Sequence, residues 1–333
     1  MHFLVHIITN LLAVSATPLI KRQAITDADV LQFALTLEHL EDSFYKGGIA
    51  NFTAQSFTSA GFSSDFYTRL QEIGSHESSH VSFLTAGLTA AGATPVAACT
   101  YKFPYTDAKS FVTLSRILEG VGVSAYSGAA QFIANNAYLT AAATILTVES
   151  RHNAFISQSL GSDPFPVPFD TPLDPNQVYT LAAAFIVSCP SSNGPLPFSA
   201  FPTLTVTGTT SPGSSIGLNY TANSTATTVF AAFYNGLAPV VAPISNGNVT
   251  IPSSITAGQT YVVVTTSSNA TAVSDANIVA GPAVFIVSNT TASPVAYCSG
   301  STATKGNTSF TGDATKRSVG LIGAIAIMMA LVL

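Results

Sequence analysis

Residues 77–80 read Glu-Ser-Ser-His, and residues 149–152 read Glu-Ser-Arg-His. Both are Glu-x-x-His, and on a helix positions i and i+3 share one face. Ile73, Leu84 and Leu88 flank the first pair at helical spacing, as Ile145 and Ile156 flank the second. Each polar pair therefore sits inside an apolar stripe and is expected to point into a core. Ahead of each lies a glutamate among apolar residues, Glu38 and Glu119, and seven residues after each comes a tyrosine, Tyr45 and Tyr126. Seven residues is two helical turns, so each tyrosine is expected to share its glutamate's face. The order Glu, Glu-x-x-His, Glu, Glu-x-x-His is a two-fold internal repeat.

The surrounding punctuation predicts the helices that carry it. Thr26-Asp27-Ala28-Asp29 resembles a capping box, and Phe33, Leu37, Leu40 and Phe44 follow at helical spacing. A second helix is expected from Ser64 to Ala91, stopping at Gly92. A third runs from Asp107 to Asn135 and a fourth from Tyr138 to Leu160, with Gly161 as its C-terminal cap. Asp174-Pro175 opens a fifth as N-cap and first helical residue, ending near Cys189.

Four carboxylates inside a bundle need compensation, because each desolvated charge costs several kcal/mol. Two cations supply it. Oxygen and imidazole donors without thiolate suit iron or manganese, and a Glu on each of two helices with Glu-x-x-His on the other two holds a metal pair in a four-helix core. The candidate ligands are Glu38, Glu77, His80, Glu119, Glu149 and His152. Tyr45 and Tyr126 are candidates for supporting that centre, although tyrosines at such positions more often serve as core packing. Gly120 and Gly122 are expected to permit close helix approach beside Glu119. The remaining polar residues nearby, His39, Glu41, Asp42 and Glu72, are expected to be solvated, with Glu41 as the substitute ligand should the register differ. Arg151 is expected at the surface. A competing motif is His76-Glu77-Ser-Ser-His80, the His-Glu-x-x-His of zinc proteases. It lacks a third ligand and leaves Glu38, Glu119, Glu149 and His152 without a role.

The segments LTLEHLEDSFY (35–45), HESSHVSFL (76–84), ILEG (117–120) and VESRHNAF (148–155) resemble the four core helices of the ferritin-like superfamily. More narrowly, they resemble secreted fungal ferritin-like stress-response proteins. The resemblance covers residues 25–190. It implies the same six residues as ligands of a di-iron or di-manganese centre, with Glu77 and Glu149 at the bridging positions, and a role in stress response. The oxidoreductase chemistry expected is oxidation by oxygen or peroxide, or peroxide disproportionation. The alternative is a non-enzymatic cell-surface or cell-wall glycoprotein whose bundle is a scaffold.

Composition separates a second half. The chain's 333 residues suggest about two domains at ~150 residues each. Fourteen of its sixteen acidic residues lie between Asp27 and Asp174, and from Pro175 to Cys298 the only charged residue is Asp275. After the stretch PSSNGPLPFSAFP, runs such as LTVTG, IGLNYT, TTVFAAFYN, YVVVTTS and AVFIVS read as strands separated by turn formers. The fold class expected is an all-α four-helix bundle with a fifth helix over 25–190, then an all-β immunoglobulin-like sandwich over 200–298. Such a sandwich would space the bundle from a wall or membrane and carry glycans. Only 8% of residues are charged and no basic cluster occurs, which argues against nucleic acid as a partner.

The ends suggest export. Residues 1–22 read as a signal peptide, with Val14 and Ala16 before a cleavage point and a dibasic Lys21-Arg22 after it. Residues 299–317 form a Ser/Thr-rich stalk, and the apolar tail 318–333 matches a GPI attachment signal, for which Gly306, Asn307 and Ser309 all fit. Seven sequons, at Asn51, Asn219, Asn223, Asn248, Asn269, Asn289 and Asn307, predict N-glycans. The chain is therefore expected on the outer face of the plasma membrane or in the cell wall. In an oxidising compartment Cys99 and Cys189, just outside expected helix ends, are the favoured disulfide, leaving Cys298 unassigned.

Overall fold

The computed structural model describes residues 25–221, 226 and 228–287. The segments expected as signal peptide, stalk and GPI-signal tail, with Cys298 and the sequons at Asn223, Asn289 and Asn307, lie outside the described residues. Among the described residues, no helix is long and apolar enough to cross a membrane.

Six helices come first: α1 (Asp27–Asn51), α2 (Ala54–Ser59), α3 (Phe66–Ala90), α4 (Ala108–Ala129), α5 (Asn136–Ser159) and α6 (Pro175–Ala183). Their starts follow cap chemistry. The Thr26 and Asp29 side chains bond each other's backbone N–H groups, Asp107 caps α4, and Asp174 accepts from Asn176 N ahead of Pro175 at the first turn of α6. Glycines in the left-handed region, Gly92 and Gly161, follow the ends of α3 and α5. Helices α1 and α3 pair antiparallel, as do α4 and α5, and α1 meets α4. Phe44, Tyr45, Phe57, Phe66 and Phe111 fill one end of the bundle.

Two expected helices are shorter than their patterns. The third ends at Ala129 and gives way to a 3₁₀ turn, Ala130–Phe132, after which the Asp27 carboxylate accepts from the N–H groups of Ala134 and Asn135. The fifth ends at Ala183 because strand pairing captures the backbone beyond it. There β2 (Ile186–Ser188) pairs antiparallel with β1 (Thr100–Tyr101), and Cys99 and Cys189 form a disulfide beside that ribbon.

Seven further strands follow among the described residues: β3 (Leu204–Thr207), β4 (Ser215–Tyr220), β5 (Phe230–Tyr234), β6 (Pro239–Pro243), β7 (Asn248–Thr250), β8 (Gly258–Thr265) and β9 (Ile278–Val287). They build two antiparallel sheets, β3-β4-β7 and β6-β5-β8-β9. Alternate residues of both sheets, including Leu204, Ile216, Phe233, Val249, Val262 and Val264, bury into one shared core. The four described sequon asparagines, Asn51, Asn219, Asn248 and Asn269, are exposed.

The sandwich is no detached spacer. Tyr261 of β8 is buried with Val121 and Ala125 of α4 and with Phe33 of α1. Its hydroxyl donates to Gly120 O at 3.0 Å and meets Ser124 Oγ at 2.8 Å. Gln259 Nε2 donates to Ile117 O at 3.2 Å. A Cβ on Gly120 would lie 2.5 Å from the Gln259 side chain, so this glycine admits a strand of the sandwich rather than another helix.

Candidate metal centre

Helices α1, α3, α4 and α5 bring all six sequence-selected residues to one place. Glu38, Glu77, Glu119 and Glu149 are fully buried, and His80 and His152 nearly so. Their ligand-type atoms form two sets, Glu38-Glu77-His80-Glu149 and Glu77-Glu119-Glu149-His152, each with all atoms within 4.8 Å of one another. Glu77 and Glu149 belong to both. His80 Nδ1 lies 3.2 Å from Glu38 Oε2, 3.3 Å from Glu77 Oε2 and 3.4 Å from Glu149 Oε1. His152 Nδ1 lies 3.1 Å from Glu77 Oε1 and 3.3 Å from Glu119 Oε2.

The tyrosines extend the repeat across helices. Tyr126 of α4 donates to Glu38 Oε1 of α1 at 2.5 Å. Tyr45 of α1 donates to Glu119 Oε1 of α4 and meets Ser115 Oγ at 2.6 Å. Each hydroxyl fixes one carboxylate oxygen and leaves the other turned to the cluster.

The donor set is suited to cations. Glu77 Oε1, Glu119 Oε2, both oxygens of Glu149 and His152 Nδ1 are buried without a hydrogen-bond partner. Native interiors rarely leave so many polar atoms unpaired. Burial raises Glu38 to about 7, and burial followed by repulsion from neighbouring carboxylates raises Glu41 and Glu149 well above the usual range. Burial also works against ionised Glu77, but the imidazoles of His152 and His80 beside it outweigh that and hold Glu77 at about 2. Burial would deprotonate both imidazoles, yet the surrounding carboxylates push His80 to about 12 and His152 to about 10. Two imidazolium protons thus stand in for positive charge that metal ions would bring, and six O and N donors without sulfur fit iron or manganese.

Several residues depart from expectation. Glu41, expected in solvent, is 5% exposed and lies beside the cluster. Asp42 is also buried, held by Lys46 at 2.7 Å and by the Ser78 hydroxyl at 2.6 Å. His39 is half-buried, with Nε2 3.0 Å from Val96 O. Asp42 is covered by α3 and His39 by the 91–107 connection, whereas Glu41 faces α4 beside Gly122. Glu72 is exposed and pairs with Arg69 at 2.9 Å, and Arg151 is exposed. His76 belongs to neither set. Its Nδ1 lies 3.0 Å from Nε2 of His152 on α5, so the geometry gives no His76–His80 zinc site. Its observed place is behind a candidate ligand, with its ring stacked on that of His152 at a centroid distance of 5.2 Å. Nothing in the spacing signalled that contact.

Two cavities adjoin the cluster. One of about 830 Å³ opens between α1, α3, α4 and α5, with Tyr126 in its wall and no charged side chain in its lining. The other, of about 570 Å³, lies between the bundle and the sandwich and reaches Glu41.

Comparison with known proteins agrees with this architecture. "Protein rds1" of Schizosaccharomyces pombe (strain 972 / ATCC 24843) is 26% identical over 178 residues, a match covering 54% of this chain and 44% of that relative's own length. The sequence model of the ferritin-like domain family matches residues 26–162, the stretch that contributes every member of the cluster. Residues 26–162 of this chain are therefore similar to the ferritin-like domain family, in agreement with the bundle described above.

Proposed function

We propose that the ferritin-like domain holds two iron or manganese ions and is an oxidoreductase that uses oxygen or peroxide. The observation that carries this reading is the pair of four-residue sets sharing Glu77 and Glu149. Glu38 and His80 would serve one ion, Glu119 and His152 the other, with Glu77 and Glu149 between them. Iron or manganese held there would supply the redox chemistry toward oxygen or peroxide. The chain's own residues position and insulate. Tyr45 and Tyr126 orient Glu119 and Glu38, His76 stacks on His152, and the uncharged wall beyond Tyr126 keeps solvent ions away.

The disulfide and the exposed sequons support an oxidising, exported setting for this chemistry. We include in the proposal a cell-surface or wall location reached by a GPI anchor, with N-glycans, and a role in stress response. Elemental analysis of protein purified without added metal tests the centre. Two iron or manganese ions per chain are expected, whereas one zinc per chain would return the His-Glu-x-x-His reading. Steady-state peroxide consumption by the loaded protein tests the chemistry. No turnover with either metal would leave a non-enzymatic surface glycoprotein.

A further inference from the structure

The loop between α5 and α6 reads GSDPFPVPFDTPL (161–173). Its two phenylalanines stay out of the core: Phe165 is 80% exposed and Phe169 59%. Leu237, in the turn between β5 and β6, is 67% exposed. Two contacts bring the three to one rim. Gly236 N donates to Thr171 Oγ1 at 2.7 Å, and a Cβ on Gly258 would lie 3.0 Å from Pro166 Cγ. Gly236 follows β5 and Gly258 opens β8. These strands pair antiparallel with Tyr234 opposite Tyr261, so both contacts lie at one end of the four-stranded sheet.

The loop is held in place. Pro164, Pro166, Pro168 and Pro172 fix its φ angles, Asp163 Oδ1 accepts from Phe165 N at 2.8 Å, and Thr171 and Leu173 are buried. Such a loop presents its rings with little further loss of entropy. Large apolar side chains exposed together mark an interaction surface, and the chain itself points to the occupant. Strand β9 ends at Val287, opposite Gly258. The chain therefore leaves the described fold at this same rim, and its last stretch is the apolar run 318–333. The loop's own charges are two carboxylates, Asp163 and Asp170, with no basic residue, which suits a zwitterionic lipid surface better than an anionic one.

We infer that this rim rests on a lipid bilayer, with Phe165, Phe169 and Leu237 entering the headgroup region. The inference rests on the proposed GPI anchor and adds the orientation: the anchor tethers the chain, and the rim fixes which side of the molecule meets the membrane. Tethering raises the effective concentration of the surface to about the millimolar range, so a patch too small to hold a free protein can still orient a tethered one. The two carboxylates confine the contact to the interface, since a charge is costly in the hydrocarbon layer.

The chain contains no tryptophan, so Phe165→Trp supplies a sole fluorophore on the loop. Phe83→Trp, at an exposed site of α3, is the reference. It lies about 25 Å along α3 from Phe66, which stacks on Phe155 near the start of the loop. Each variant is purified from membranes with its anchor and placed in phosphatidylcholine vesicles, with and without bromine on the acyl chains. Emission of Phe165→Trp is expected to shift to the blue and to be lost to bromine quenching, while that of Phe83→Trp is unchanged. Adding Phe169→Asp to Phe165→Trp is expected to abolish the quenching and leave the thermal melt where it was. If the protein floats with vesicles but Phe165→Trp is not quenched, or both reporters quench equally, the docked rim is overturned and the anchor stands. A blue shift that grows with protein concentration in the absence of vesicles assigns the rim to a second copy and overturns the bilayer. If the protein carries no lipid and does not float, the anchor reading falls and the inference with it.

Discussion

Tyr45 and Tyr126 each follow a glutamate on their own helix, yet each donates to the glutamate of the other helix. Two turns of spacing placed the rings on the right face, but crossing the α1–α4 contact chose the acceptor. Tyr126→Phe leaves Glu38 Oε1 buried without its donor, so a loss of about 1–3 kcal/mol is expected in denaturant unfolding of the metal-free protein. Ionisation at the cluster has a definite sign. Glu38 rises from 4.5 to about 7 in the fold, so its contribution to stability is full below 4.5 and lost as pH rises through 7. His80 and His152, raised to about 12 and about 10, contribute below 6.5 and lose that contribution at still higher pH. Glu77, lowered to about 2, acts oppositely, losing its contribution only as pH falls from 4.5 through 2. The chelator-stripped protein should therefore melt at a higher temperature near pH 5 than near pH 8. Metal displaces those protons, so cation affinity measured by titration should rise over the same interval.

Among the elements, α4 has most demanded of it. One stretch, Glu119 to Tyr126, offers a cluster carboxylate, a glycine against the sandwich, a glycine against two carboxylates and the hydroxyl that holds Glu38. Gly122→Ala would press on Glu149 Oε2 at 2.9 Å, the free end of a flexible side chain. Unfolding stability should change little, while cation affinity falls about 10–100-fold, as for disturbed ligand positioning elsewhere. Calorimetric titration beside a thermal melt separates the two. The glycines were visible in the sequence; Gly122 does face side chains of the neighbouring helices α1 and α5, whereas Gly120 faces Gln259 of the sandwich rather than a helix. The shortened fifth helix has a related cause: residues 186–188 are apolar and compatible with either structure, and pairing with residues 100–101 decides for strand.

At the scale of the whole molecule, the sandwich closes the bundle. Tyr261, Val121, Ala125, Phe33 and Leu173 share one buried cluster, and the cavity at Glu41 has a wall from each half. Removing residues 201–333 would expose that apolar face of α4. The remaining helical piece is expected to melt well below the full chain and to self-associate, which thermal scanning and light scattering would show. The identities and spacings of Glu38, Glu77, His80, Glu119, Glu149 and His152 were determined by the sequence itself, because helical periodicity is local and places such residues on predictable faces. Two-fold alternation and turn residues likewise marked the strands. Local periodicity carries no information about which face another element will cover. The burial of Glu41 and Asp42, the crossing tyrosine bonds, the His76–His152 contact and the docking of the sandwich on α4 were decided only by tertiary structure, since each depends on groups distant in sequence meeting across a packed interface.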